Sequence, residues 1–88
     1  MKTDAEVVRA ARNQLARARG QLDSVITMID DQRDCRDVIQ QIAAVSNATR
    51  HAGVRLLVSQ MERCIADADA EAADYDPDEL QRLFLQLA

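Results

Sequence analysis

The sequence is poor in the residues that turn a chain or build a sheet. Among its 88 residues are two glycines, Gly20 and Gly53, one proline, Pro77, and two aromatic side chains, Tyr75 and Phe84. Set against abundant Ala, Leu, Arg, Gln and Asp, this scarcity disfavours strands and favours helix. No apolar run approaches the roughly 20 residues of a membrane span. The stretch from Met1 to Glu6 lacks the hydrophobic segment of a signal peptide, so a soluble, cytoplasmic protein is expected, with no membrane partner. The apolar content of 48% excludes a wholly disordered chain. No phosphate loop, supported Ser/His/Asp arrangement or paired-carboxylate signature is present, so no enzyme is predicted.

Net positive charge is also lacking. A formal charge of −4 argues against indiscriminate nucleic-acid binding, because attraction to phosphate grows with positive charge. The charge is nevertheless segregated: acids dominate Asp30 to Asp37 and Asp67 to Glu79, whereas Arg9 to Arg19 holds four arginines and no acid.

What is there is helical periodicity. Val8, Ala11, Leu15, Ala18, Leu22, Val25 and Ile29 recur at alternating spacings of three and four, a heptad seam on one helix over about residues 5–30. Gly20 interrupts it, as a mid-helix glycine does where another backbone comes close. After the polar break Asp30-Asp31-Gln32-Arg33, Asp34 offers an N-cap to a second helix over about 35–68. Its first stripe is Val38, Ile42, Val45, Thr49, Ala52 and Leu56; a second, Val54, Leu57, Met61, Cys64 and Ile65, lies on another face. A helix apolar on two sides needs two partners: helix one of its own chain and, most simply, a second protomer. Asp76-Pro77-Asp78-Glu79 opens a third helix over about 77–87, whose face Leu80, Leu83, Phe84 and Leu87 must dock on something. The expected fold is a single all-α domain over 1–88, a three-helix protomer with two long antiparallel helices. A chain this short buries only a modest fraction of its surface, which makes an oligomer expected.

The two cysteines, Cys35 and Cys64, can be buried structural residues, metal ligands or redox-active thiols. Cys35 sits at the start of helix two, where free N–H groups favour a thiolate and the carboxylates of Asp31, Asp34 and Asp37 oppose it. On one continuous helix the two cysteines are about 43 Å apart. They can meet only between chains, where two copies of helix two pack antiparallel about a two-fold axis.

Ala18-Arg19-Gly20-Gln21-Leu22, Met28-Ile29-Asp30-Asp31 and Cys35-Arg36-Asp37-Val38 resemble the first helix and turn of the CsoR/RcnR family of bacterial repressors. Gln40 to Val45 and Leu56-Leu57 leading to Cys64 continue the resemblance, which covers roughly residues 8–66. It implies an antiparallel dimer and a disc-like dimer-of-dimers tetramer that binds operator DNA and releases it when its cysteine site is occupied. Copper sensors of the family hold Cu(I) with a Cys at the start of helix two, and a His and a Cys four residues apart on the other protomer. Cys35 and Cys64 match the two thiolate positions, and Gln60 stands at the His position. The Tyr that often precedes the first Cys is Asp34, and the Glu that supports the ligands in the family has no clear counterpart, Glu79 being nearby but displaced. An amide is a poor ligand for soft Cu(I), whereas two thiolates can hold it digonally. A two-Cys site without His is similar to the persulfide-sensing, CstR-like members, whose thiols are joined through sulfur across the dimer.

For DNA, the candidates are Arg9, Arg12, Arg17 and Arg19 on helix one, with Arg50 and Arg55 on helix two; the bland alternative is a solvated face with i,i+4 partners. Arg17 and Arg50 match positions commonly basic in the family. Gln14 and Asp23 stand where the family usually carries basic residues. His51 lies about three and a half turns before Cys64, too far to complete its site, and reads as a surface or DNA-facing residue. The ranking is a repressor induced by persulfide or polysulfide at Cys35 and Cys64, then the same repressor induced by Cu(I), then a helical oligomeric interaction module with structural cysteines. No cofactor is obligatory in any of them. Nickel, cobalt and formaldehyde sensing rank last, because the His or near-N-terminal ligands they use are missing.

Overall fold

The structure, a computed structural model, describes residues 4–66 and 76–88, and for residues 64–66 the helical backbone alone. It consists of α1 (Ala5–Asp30), α2 (Cys35–Ala66) and α3 (Pro77–Leu87), with no strand among the described residues. The protomer is all-α with three helices, as the composition predicts. The expected extension of α2 to residue 68, and most of the acidic stretch 67–79, fall outside the described residues.

Each helix starts on an aspartate. Asp4 accepts a hydrogen bond from the Glu6 N–H at 2.8 Å, Asp34 one from the Arg36 N–H at 2.8 Å, and Asp76 one from the Asp78 N–H at 3.0 Å. Each satisfies a first-turn donor that has no partner within its helix. At the end of α1 the Gln32 N–H donates to the Ile29 carbonyl at 3.0 Å and the Arg33 N–H to the Met28 carbonyl at 2.9 Å. This Schellman closure puts Gln32 in the left-handed region, at φ 56°, where glycine is the usual occupant. The turn folds α2 back along α1, giving a rod 56 Å long and 13 Å across its thinnest axis.

The two long helices meet along seven-residue rows. Ala11, Ala18 and Val25 are buried on α1; on α2, Val38 and Ala52 are buried with half-buried Val45 between them. Small side chains on these rows let the helices approach closely. The α1 seam therefore divides. Its alternate members Val8, Leu15, Leu22 and Ile29 stay between 42% and 56% exposed. A protomer that leaves this row half in water is short of apolar burial, since fully burying each such side chain contributes about 1.5–3 kcal/mol.

The close approach expected at Gly20 is not there: a Cβ on Gly20 would meet nothing within 4 Å. At Gly53 the neighbour is a side chain and not a backbone: a Cβ there would stand 2.8 Å from Cδ2 of Leu87 on α3. Leu80, Leu83 and Leu87 of α3 are half-buried, while Phe84 and Leu85 remain largely exposed. No helix among the described residues is long and apolar enough to cross a membrane.

Candidate thiol site and its arginine flanks

Cys35 is the first residue of α2 and its thiol is free and exposed. The turn that presents it is fixed by Asp34, whose carbonyl accepts from the Val38 N–H at 3.2 Å while its carboxylate caps Arg36. That capping bond to the Arg36 backbone, with the Arg36 guanidinium 3.4 Å from the other carboxylate oxygen, holds the Asp34 carboxyl below the usual aspartate range. Both groups are well exposed, so the pair orders the turn more than it stabilises the fold.

From Cys35, α2 runs without a break to Ala66. Cys64 is therefore about 43 Å along the axis from Cys35, and no rearrangement short of breaking α2 brings the two thiols of one chain together. Any ligand that takes both must bridge two chains. Among the described residues, no group of three or more His, Cys, Asp or Glu side chains is placed to hold a metal ion. Gln60, one turn before Cys64, is only 4% exposed, and its amide oxygen has no hydrogen-bond partner. Its burial was not legible from residue type, because amides usually stay in water.

The arginines fall into two groups. At 100° per residue Arg12 and Arg19 nearly eclipse on α1, with Arg9 about 60° and Arg17 about 140° farther round. All four are exposed, and no ion pair engages them or Arg50 among the described residues, so the i,i+4 pairing of a bland solvated face is not formed. Arg12 and Arg50 hydrogen-bond only neutral neighbours, Asn13 at 3.3 Å and Asn47 respectively. Arg50 lines a groove with Leu22, Ile42 and Leu87, three residues on from Arg19 at Leu22. Arg17 lies on the other flank, three residues beyond Gln14. There an open pocket of about 420 Å³ gathers Gln14, His51, Arg55 and Glu62. His51 is thus kept away from the cysteines and placed with Arg55. Sequence spacing alone did not pair those two, although i and i+4 on one helix face is the signal for it. The Gln14 amide oxygen is buried there without a partner.

Two cysteines at opposite ends of one unbroken helix cannot share a ligand within the chain. The chain belongs to the metal-sensitive transcriptional repressor family, which it matches over residues 8–86, and this is the CsoR/RcnR family that its motifs resemble. The members are repressors and not enzymes. Among its relatives, the copper-sensing transcriptional repressor CsoR of Mycobacterium ulcerans is 38% identical over 60 residues, 68% of this chain and 51% of the relative. CsoR of Bacillus subtilis is 36% identical over 56 residues, 64% of this chain and 55% of the relative. The copper-sensing repressor RicR of Mycobacterium tuberculosis is 37% identical over 57 residues, 65% and 59% respectively. The chain spans about half the length of the curated relatives it matches. No solved structure matches it.

Proposed function

We propose that the chain is a DNA-binding transcriptional repressor that releases its operator when Cu(I) is held between Cys35 of one protomer and Cys64 of its partner. The observation that carries this reading is the unbroken α2, which puts the two thiols at opposite ends of one helix. An antiparallel pair of such helices juxtaposes them twice. The relatives described as copper-sensing move the inducer from persulfide, which sequence reasoning ranked first, to copper. The donor set fits: two thiolates suit a soft monovalent ion in two-coordinate geometry, and the Gln60 amide adds no competing soft ligand. Bound Cu(I) would supply a strong link between two chains. The chain's own part is to present Cys35 on the capped turn at Asp34 and to carry the strain of that link along α2.

The exposed row Val8, Leu15, Leu22 and Ile29 supports assembly, since a second copy would cover it. Unpaired arginines on both flanks of α1 support DNA as partner: an assembly repeats them and adds phosphate contacts. A ligand that straddles two protomers changes how they sit against each other, and DNA bound across both reports that change. Persulfide remains the second reading, favoured by Gln60 at the position where copper sensors carry His. The test is operator binding by fluorescence anisotropy, using DNA from upstream of the chain's own coding region, before and after Cu(I) or polysulfide, with intact-mass analysis. Release at one Cu(I) per cysteine pair supports copper; release only by polysulfide, with added sulfur mass in a linked dimer, supports persulfide. If release is unchanged in Cys35→Ser and Cys64→Ser, the cysteines are structural.

A further inference from the structure

The row of α2 that faces α1 runs Val38, Val45, Ala52 at intervals of seven, and its next position is Ser59. Ser59 is only 5% exposed, so a hydroxyl stands where the row calls for an apolar side chain. A hydroxyl inside a helix can donate to the carbonyl four residues back. Ser24, Thr27 and Thr49, all exposed, do so at 3.3, 3.2 and 2.9 Å. The Ser59 hydroxyl, far more buried, has no hydrogen bond among the described residues. Ser59 instead lines the open pocket of about 420 Å³ between α1 and α2, together with Gln14, whose amide oxygen is shut in without a partner. Two polar groups left unpaired in one place oppose folding, and a ligand that bonds both removes that cost.

The same pocket holds charge of both signs. Arg55, His51 and Glu62 line it, and no side-chain hydrogen bond or ion pair engages any of them among the described residues. The Arg55 guanidinium, a His51 ring N–H and the Ser59 hydroxyl can donate, whereas the Gln14 oxygen and the Glu62 carboxylate accept. An oxyanion that still carries a proton answers both sets from one compact centre. Inorganic phosphate keeps at least one O–H at neutral pH; sulfate and the phosphodiester of DNA keep none. Val7 and Gln14 lie on one side of the buried Ala11 row of α1, and Val8 and Leu15 on the other. A second copy that covers the exposed row therefore leaves this pocket open.

We infer that the pocket at Gln14 and Ser59 is a binding site for a protonated phosphate group, held by donation from Arg55 and Ser59 and selected by acceptance at Gln14 and Glu62. The volume lies within the range of small-molecule sites, about 300–1,000 Å³, and Val54 and Val58 offer an apolar wall to the organic part of a phosphate ester.

The test needs neither copper nor operator, so its failure would leave the repressor reading standing. The full chain, reduced and metal-free at neutral pH, is titrated with inorganic phosphate and separately with sulfate at matched ionic strength, followed by amide NMR. Phosphate should bind saturably, moving the Gln14 side-chain amide and the backbone amides of Arg55 and Ser59, with sulfate weaker by about tenfold or more. Ser59→Ala and Arg55→Gln should each weaken phosphate by about tenfold while helicity by circular dichroism is unchanged. A short DNA duplex of arbitrary sequence separates the two sources of phosphate. If the duplex moves these resonances and free phosphate does not, the pocket is a backbone contact and the inference falls. Equal affinity for phosphate and sulfate, or a phosphate response that both variants leave intact, overturns it as well.

Discussion

Cys35 and Cys64 stand at opposite ends of one unbroken helix, about 43 Å apart along its axis. Mild oxidation of the assembled protein should therefore link chains and never close a loop within one. Non-reducing electrophoresis with peptide mapping should find Cys35 of one protomer joined to Cys64 of its partner, and Cys35→Ser or Cys64→Ser should abolish that product. An intramolecular Cys35–Cys64 disulfide would mean that α2 does not persist as one helix.

Gln32 closes the turn between α1 and α2 with φ at 56°, a conformation that costs an L-residue roughly 1 kcal/mol. Gln32→Gly should stabilise the protein by about 0.5–1 kcal/mol, the relief of strain being partly offset by the greater freedom of the unfolded chain. Thermal and denaturant melts at fixed protein concentration measure it. No gain would show that the helical closure is not the native one.

Asp34 caps α2, and its carboxyl is held below the usual aspartate range by the Arg36 backbone N–H and guanidinium. A depressed pKa of this kind stabilises above the ordinary aspartate value and is lost as pH falls through the folded value. Protection of the first α2 turn, residues 35–38, should be complete at neutral pH and fade only under strong acid, followed by amide exchange. Asp34→Ala should destabilise the start of α2 at neutral pH and remove that acid dependence.

The row Val8, Leu15, Leu22 and Ile29 is uncovered in the single chain. Placing a charge at its centre, Leu22→Glu, should drive the protein toward monomer in sedimentation velocity while helicity by circular dichroism changes little. The same variant should lose the oxidative cross-link, which forms only between assembled chains. A variant that assembles like the wild type would place the interface elsewhere.

Local signals made most of the fold legible. Asp34 and Asp76 fixed helix starts by bonds made within two residues, with Pro77 at the first position of α3, and the heptad spacing of Ala11, Ala18 and Val25 marked the face that packs on α2. What was not legible depends on partners distant in sequence. Nothing near Gly20 or Gly53 says which of them another helix will approach; the docking of Leu87, more than thirty residues beyond Gly53, decides it. The same holds for Gln60, a polar side chain whose burial no feature of its own sequence neighbourhood announces. The seam of α1 looked uniform because spacing records which residues share a face and not whether their partner is in the same chain. That the two cysteines are too far apart to meet within one chain was legible from spacing, and the unbroken α2 agrees; what they bind was not legible, since two thiolates serve copper and persulfide alike.

The central claim is that each ligand site takes one cysteine from each of two chains. Mixing Cys35→Ser with Cys64→Ser protein, unfolded together and refolded, tests it most directly, with Cu(I) binding measured against a competing chelator. Each variant alone should bind no tight Cu(I), whereas the mixture should recover about a quarter of the wild-type capacity: half of randomly paired dimers are mixed, and each mixed dimer carries one intact site of two. A mixture that binds no more than the two variants measured separately would contradict a site shared between chains.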